Sequence, residues 1–386
     1  MKDVHFMTRD DIRDLLALRS DAGVLSIYLD GGRQAAPRKP GWQMSHVRSG
    51  LKELAQKHSG AKQLEQTADE ALQEIAGLPG EFRQRSLVYF RDAGGEQSWW
   101  RSLQRPLATR FVWMDTPFIR PLVAYLDDSP EVGVILLSKD EARLITWRQG
   151  ILLKDSEERI QPSEDARRDE GPLPSHPPRS PHAMSPADRL RDRASQKTRR
   201  FAVELADAVP RTAVRRGWER LVIMAPSPLR EEFQAQLKEP WRSSIIGSTD
   251  KVMLRASSAE LSADVDEIIT RWNRERESQD VEQTYNLAQA GGRAVTGPQE
   301  SLKLLQQARV AHLFFAADLV LRGRRMEDGT LQLDDGAKGS AGAEESHLVE
   351  RMVEMALETG ASVTPVEGTP AERIKEMGGI AARLRY

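Results

Sequence analysis

The sequence predicts an α/β protein built from three domains. Its 386 residues are enough chain for two or three hydrophobic cores. Strand-like runs and helical segments occur along the whole chain, and the last third alternates helix and strand, which is typical of a three-layer α/β/α sandwich. A bridging segment at 117–128 and the charged run WNRERESQD (272–280) divide the chain. We therefore predict an N-terminal α+β domain (1–118), a layered α/β middle domain (119–278) and a C-terminal sandwich (279–386).

The composition excludes several classes of protein and site. The chain has no cysteine, which rules out disulfides, thiol catalysis and thiolate zinc sites and fits a reducing cytoplasm. Its 7 histidines include no closely spaced helical pair, so we predict no metal site, and we predict no cofactor. No apolar run approaches the ~20 residues that span a bilayer, and the N-terminus lacks the apolar region of a signal peptide. We expect a cytoplasmic monomer without membrane contact.

The first domain begins with a capped amphipathic helix. Thr8 is the expected N-cap, and Asp11 stands where a capping-box carboxylate belongs. The other predicted elements are a strand at 23–30, helices at 42–57 and 62–75, and strands at 86–92, 98–104 and 109–115. Trp99, Trp100 and Trp113 fall at strand spacing, so we interpret them as sheet-face or core residues rather than as platforms for base stacking.

The middle and last domains combine strands with helices. Short apolar runs between turn residues predict the strands, and apolar residues at helical spacing predict the helices. The predicted elements are strands at 133–137, 142–147, 151–154 and 220–226, a helix at 258–278, helices at 281–290, 298–308 and 344–358, and a strand at 311–317. Further short strands and a short helix complete the chain.

Residues 165–186 form a proline-rich loop that leads into a basic helix, predicted at 186–209. Ser185 is a suitable N-cap, Pro186 suits the first helical position, and Phe201 belongs to the apolar face. The side chains that we predict to bind the RNA backbone are Arg189, Arg193, Gln196, Lys197, Arg199, Arg200, Arg215 and Arg216. Because the charge is almost entirely of one sign, phosphate binding is favoured over a merely solvated helix face.

Two further motifs have simpler interpretations. GGRAVTG (291–297) invites comparison with a phosphate-binding loop, but it fits neither of the common nucleotide-binding fingerprints, and a tight turn before a helix is favoured. His182, Ser185 and Asp188 are close in sequence, but catalytic triads are assembled by geometry, and Ser185 already has a capping role. We therefore predict no catalytic set here.

The chain as a whole resembles the archaeal and eukaryotic class-I peptide release factor and Pelota superfamily, specifically its bacterial branch. The similarity spans nearly the full length, and the matching segments occur in the correct order over three domains. The segments that carry the resemblance are LLALRSDAGVLSIYLDGG (15–32), VGVILLSKDEARLITWRQGIL (132–152), LVIMAPSPLREEF (221–233), GRAVTGPQESLKLLQQARVAHLFFAADL (292–319) and GGIAARLRY (378–386).

The resemblance implies a tRNA-shaped protein that enters the ribosomal A site, with a ribonuclease-H-like middle domain. In active release factors a loop of that domain presents Gly-Gly-Gln, whereas Ala183, Met184 and Ser185 occupy the corresponding positions here. The first domain lacks the stop-codon motif Asn-Ile-Lys-Ser, and KHSGAKQ takes its approximate place, so that Lys57, His58 and Lys62 are candidates for the decoding end.

Members of the bacterial branch without Gly-Gly-Gln include the Balon-type hibernation factors. The resemblance therefore implies a protein that binds the ribosome, through ribosomal RNA or tRNA, without hydrolysing peptidyl-tRNA. Two alternatives stay open: a peptidyl-tRNA hydrolase that uses Gln196 or Ser185, and a non-ribosomal RNA-binding module. The sequence also leaves open whether a translational GTPase delivers the protein.

Overall fold

The structure of the protein is a computed structural model. The structure describes residues 6–31, 42–58, 61–78, 86–95, 97–167, 186–251, 256–334 and 342–386. These residues form two compact units, Met1–Asp128 together with Asn273–Tyr386, and Ser129–Trp272. Helices and strands are mixed in both units, which confirms the predicted α/β class.

The N-terminal part is an antiparallel sheet of four strands with the order β3-β2-β1-β4. Its elements are α1 (Arg9–Ala17), β1 (Val24–Leu29), α2 (Trp42–Lys57), α3 (Lys62–Gly77), β2 (Ser86–Asp92), β3 (Ser98–Leu103), β4 (Arg110–Met114) and α4 (Arg120–Asp127). Both faces of the sheet are covered, so every residue of β1 is buried. Trp100 and Trp113 pack against the core beneath α2 and α3, and Trp99 packs on the opposite core. The three tryptophans are therefore core or sheet-face residues, as predicted.

The middle unit is a five-stranded mixed sheet with the order β7-β6-β5-β8-β9. Its elements are β5 (Val132–Leu137), β6 (Ala142–Arg148), β7 (Ile151–Ile160), α5 (Glu164–Arg167), α6 (Pro186–Arg216), β8 (Arg220–Met224), α7 (Ser227–Gln236), β9 (Ile245–Thr249) and the first part of α8 (Ser258–Gln289). Strands β5, β8 and β9 are parallel, and β6 runs antiparallel between β5 and β7. This arrangement is the ribonuclease-H-like one.

Helices cover both faces of the middle sheet. Phe201 and Leu205 of α6 pack with Ile135 and Ile223 on one face, together with α7. The first part of α8 covers the other face. Because each strand of the sheet centre is apolar on both sides, β5 is buried along its whole length.

Helix α6 is longer than predicted. It was expected to end at Val209, but it continues through Pro210 to Arg216. A proline inside a helix removes one backbone hydrogen bond and normally favours a break. Here Val209 and Ala213 are fully buried and Thr212 nearly so, and this packing outweighs the missing hydrogen bond.

The C-terminal part is the predicted three-layer sandwich around a sheet of order β10-β16-β11-β15. Its elements are the end of α8, β10 (Ala294–Thr296), α9 (Pro298–Gln306), β11 (Val310–Ala316), β12 (Gly323–Arg325), β13 (Leu331–Leu333), β14 (Ala343–Glu345), α10 (Leu348–Glu358), β15 (Ser362–Val366), α11 (Thr369–Glu376) and β16 (Ile380–Leu384). Helices α9 and α10 pack on the face of Phe315, and α8 and α11 pack on the face of Phe314.

Two predicted helices, at 258–278 and 281–290, are a single helix α8. The sequence predicts a boundary in the run WNRERESQD because that run is highly charged and has the composition of a solvated stretch. Asn273, Glu277, Val281 and Thr284 are nevertheless all buried at helical spacing. Since three of these four are polar, the apolar pattern misses a face that tertiary packing covers.

The glycine-rich motif 291–297 is only partly the predicted tight turn, because Ala294–Thr296 form strand β10, while its last residue leads directly into α9 as expected. Gly297 has a φ of +87° and precedes Pro298, the first residue of α9. None of the helices in the described ranges is both long enough and apolar enough to cross a membrane.

Candidate RNA-binding surface

A basic segment of α6, residues 193–200, is the main candidate surface. Between Arg193 and Val203 the helix carries four cations and no acidic residue. Arg193, Lys197 and Arg200 are partly buried, whereas Gln196 and Arg199 are exposed. Arg193, Lys197 and Arg200 follow one another at spacings of four and three residues, which places them on one side of the helix.

The inner face of α6 fixes this segment on the middle sheet. Phe201 is only 1% exposed, and Ala202 and Leu205 are fully buried, which confirms the apolar face predicted from spacing. The core therefore determines the orientation of the helix, so that the neighbouring cations lie on its solvent side.

Arg199 has one acidic neighbour on α7. Its Nε lies 3.5 Å from Oε1 of Glu232, and the Arg199 side chain remains 71% exposed. The same carboxylate accepts a 3.0 Å hydrogen bond from Gln236. Exposed pairs of this kind contribute roughly 0–1 kcal/mol, so a phosphate can replace Glu232 at little cost.

Arg215 and Arg216, at the end of α6, share a different carboxylate. Their guanidinium groups lie 2.6 Å and 3.3 Å from Glu158 at the end of β7. Arg216 also donates to the carbonyl of Leu144 at 3.4 Å, and it lies 5.7 Å from the centroid of the Trp218 ring. Burial lowers the pKa of Arg216 despite the charge of Glu158. These two arginines therefore have structural partners on the middle sheet, and their contact with RNA stays a prediction.

Part of the predicted loop site lies outside the described residues. Ala183, Met184 and Ser185 fall in the undescribed range 168–185. Arg189 lies in the first turns of α6, but its side chain is also outside what is described. Their predicted roles stay predictions.

The decoding-end candidates lie together where α2 and α3 connect. Lys57 is the last residue of α2, His58 follows it, and Lys62 is the first residue of α3. All three side chains are exposed. The backbone N–H of His58 donates to Leu54 at 3.1 Å, which continues the helical hydrogen bonding by one residue. The tip of a two-helix hairpin thus carries three basic side chains.

Sequence reasoning missed Glu158 and Glu232, which balance part of the charge on α6. Glu158 is 57 residues from Arg215, so no local pattern could have indicated the pair. Within the described part of the chain, no group of three or more histidine or carboxylate side chains is placed to hold a metal ion.

Comparison with protein families identifies the middle domain. Residues 117–270 match the model of the bacterial archaeo-eukaryotic release factor family 10. This match assigns residues 117–270 to the bacterial branch of the archaeo-eukaryotic release factors. The superfamily predicted from the sequence is thereby confirmed.

Other similarities are more distant. The uncharacterized protein YocB of Bacillus subtilis (strain 168) is 23% identical over 229 residues, which cover 58% of this chain and 85% of YocB. The archaeal translation termination factor aRF1 is 15% identical with 99% of both chains covered and a TM-score of 0.25. Archaeoglobus fulgidus Pelota is 14% identical, with 99% of this chain and 93% of Pelota covered and a TM-score of 0.37.

Proposed function

We propose that this release-factor-like protein associates with the ribosome and binds its A site without hydrolysing peptidyl-tRNA. In this role it would act in ribosome hibernation or in the handling of stalled ribosomes. The observation that carries the proposal is the basic segment of α6, a run of positive charge without acidic residues beside a buried apolar face, in which Arg199 is exposed and the other cations are partly exposed.

The chemistry of that segment supports contact with an RNA backbone. Guanidinium groups match phosphate oxygens in a bidentate geometry, and a run without carboxylates suits a polyanion. The exposed Lys57, His58 and Lys62 provide a second basic group in the N-terminal part. Release factors of the superfamily approach the decoding site with their first domain, and these residues are the corresponding candidates.

The sequence of the loop supports binding without hydrolysis. Two glycines allow backbone conformations that side chains forbid, and glutamine supplies groups near the attacking water. Ala183, Met184 and Ser185 provide neither. The A-site partner would be ribosomal RNA or tRNA.

Co-sedimentation of the full chain with ribosomes tests the proposal. The triple variant Arg193→Gln, Lys197→Gln, Arg200→Gln should bind more weakly, because each lost phosphate contact removes one counterion-release term. The slope of log affinity against log salt should fall in magnitude by roughly 2–3 units if all three contacts are lost. The melting temperature should change little.

A matched triple variant serves as the control. Arg13→Gln, Arg271→Gln, Lys303→Gln removes the same charge from side chains that are 77%, 63% and 61% exposed. It should bind ribosomes like the parent protein. Absence of ribosome association at low salt, in extracts of both growing and starved cells, would contradict the proposal. Equal affinity for any structured RNA would favour the non-ribosomal module instead.

One observation favours a second candidate, a peptidyl-tRNA hydrolase. Gln196 is exposed on α6, and its amide is of the chemical type that active release factors use. Release of labelled peptide from stalled ribosomal complexes, lost in Gln196→Ala, would establish this activity. Absence of peptide release at saturating protein would exclude the hydrolase activity.

A further inference from the structure

A pocket of about 380 Å³ lies in the unit formed by residues 1–128 and 273–386. Its charged lining consists of Arg105, Arg110, Arg120, Asp128 and Glu367. The remaining wall is mostly apolar and includes proline, alanine, leucine and aromatic side chains. A concave apolar site of roughly 300–1,000 Å³ with a few fixed polar groups is the usual form of a small-molecule site.

Arg120 is a fixed part of the pocket wall. It is 8% exposed, its Nε lies 2.8 Å from Glu350, and its Nη1 donates to the carbonyl of Leu319 at 2.9 Å. Its guanidinium also lies 5.6 Å and 5.5 Å from the ring centroids of Phe118 and Phe315. These contacts hold the Arg120 side chain in place, so that it shapes the pocket wall.

Arg110 supplies a charge that the fold does not use. Its side chain is exposed, and its guanidinium lies 5.9 Å from the centroid of the Phe118 ring. Among the described residues it forms no ion pair and no hydrogen bond. A guanidinium placed on a pocket wall without a carboxylate partner is a ready anion-binding group.

Arg105 and Asp128 add a donor and an acceptor. Nη1 of Arg105 donates to the backbone carbonyl of Asp128 at 3.1 Å, which holds the two residues together. Burial raises the pKa of the Asp128 carboxyl to about 6, against the opposing charge of Arg105. Asp128 and the exposed Glu367 provide acceptors for amino groups of a ligand.

We propose that this pocket binds a nucleoside phosphate, with the phosphate at Arg105 and Arg110 and the base against the apolar wall. Two guanidinium groups suit phosphate oxygens, and the volume exceeds what a phosphate alone would fill. The carboxylates favour a base that carries an amino group. The nucleotide is either a free mononucleotide or the 5′-phosphorylated end of an RNA. This site is separate from the basic segment of α6 and does not rest on the proposed function.

Calorimetric titration of the full chain tests the proposal. Guanosine monophosphate should bind at least about tenfold more tightly than guanosine or inorganic phosphate. Uridine monophosphate, whose base has no amino group, should bind more weakly. Arg110→Gln should weaken binding of guanosine monophosphate about tenfold, because it removes a charged donor. Arg13→Gln, with the same change at a 77% exposed side chain, should bind like the parent.

Two further binding measurements identify the source of the nucleotide and distinguish this pocket from the basic segment of α6. Tighter binding of a 5′-phosphorylated trinucleotide than of the mononucleotide assigns the site to an RNA end, and the reverse order assigns it to a free nucleotide. The triple variant of the basic segment should keep its mononucleotide affinity even where it loses ribosome binding. Absence of saturable binding by all four mononucleotides, or unchanged binding in Arg110→Gln, would overturn the proposal.

Discussion

Glu277 shows how the fold changes the chemistry of a single residue. It lies in the charged run of α8, yet it is only 6% exposed. Burial raises the pKa of its carboxyl to about 7, and the nearby charge of Asp128 adds to the effect. The backbone N–H of Glu367 and the charge of Arg276 act in the opposite direction, and Asp127 raises the pKa further.

The sign of the resulting pH dependence follows from proton binding. Between about pH 4.5 and about pH 7 the folded protein holds a proton on Glu277 that the unfolded chain has lost. This contribution to the free energy of unfolding is therefore lost as the pH rises through that window. Protonation of Glu277 therefore stabilises the folded state most near the lower limit of this pH window.

Glu277→Gln should remove this dependence, because an amide stays neutral at every pH. Above pH 7 we expect the variant to be more stable than the parent by about 1–3 kcal/mol, and the difference should shrink towards pH 5. Urea unfolding at several pH values measures it. Glu275→Gln, at an exposed position of the same helix, is the control and should leave the pH profile unchanged. If the free energy of unfolding of Glu277→Gln changed with pH in parallel with that of the parent protein, the raised pKa of Glu277 would be contradicted.

For single residues, the helical spacing of apolar side chains predicts some buried positions and misses others. Phe201 was predicted to be buried because apolar residues recur around it at helical spacing, and its burial is confirmed. Glu277 gave no such signal, because a glutamate among charged neighbours has the composition of a solvated surface. Only the neighbouring elements of the fold bury it.

At the scale of single elements, the first helix is specified by its own sequence. The Thr8 hydroxyl accepts from the N–H of Asp11 at 3.2 Å, and the Asp11 carboxylate accepts from the N–H of Thr8 at 2.8 Å. This is the reciprocal capping box that the sequence predicted. The signal is reliable because its two partners are three residues apart.

Thr8→Ala should lower the stability of the unit that contains α1. Loss of the cap leaves helical N–H groups without a partner, and we expect a decrease of about 1 kcal/mol in the free energy of unfolding. Amide exchange in α1 should accelerate as well. Asp14→Ala, at an exposed position of the same helix, makes no capping contact and should have a smaller effect. Equal losses in both variants would argue against the capping role.

Other elements depend on their neighbours. The continuation of α6 through Pro210 and the fusion of two predicted helices into α8 both contradict local sequence signals. In each case buried residues flank the supposed break, Val209 and Thr212 in α6 and Glu277 and Val281 in α8. Local propensity is a weak preference of at most a few kcal/mol, and tertiary burial exceeds it.

At the scale of the whole molecule, a buried arginine joins distant parts of the chain into one unit. Arg351 of α10 is 6% exposed and donates to Glu345 at 3.0 Å, to Glu354 at 3.1 Å and to Thr116 at 2.7 Å. It also pairs with Asp115 at the end of β4. Burial alone would lower the pKa of Arg351, but the surrounding carboxylates raise it. The network links the N-terminal sheet to the C-terminal sandwich.

Arg351→Met should destabilise this unit by about 3–5 kcal/mol, because it leaves buried carboxylates without their counter-charge. Hydrogen exchange should show β4 and α10 losing protection together. Lys303→Met is the control, since Lys303 is 61% exposed and forms a surface ion pair with Glu300. Loss of protection confined to α10 would mean that the network does not couple the two parts.

The sequence by itself determined the α/β class, most helices and strands, the cap of α1 and the buried face of α6. These features depend on residues within a few positions of one another, so turn chemistry and spacing reveal them. Only the tertiary structure decided that Arg215 shares Glu158 and that residues 1–128 form one unit with 273–386. The contact between Arg351 and Asp115 joins residues 236 positions apart. Side chains so distant in sequence leave no local pattern, because chain folding alone brings their charges together.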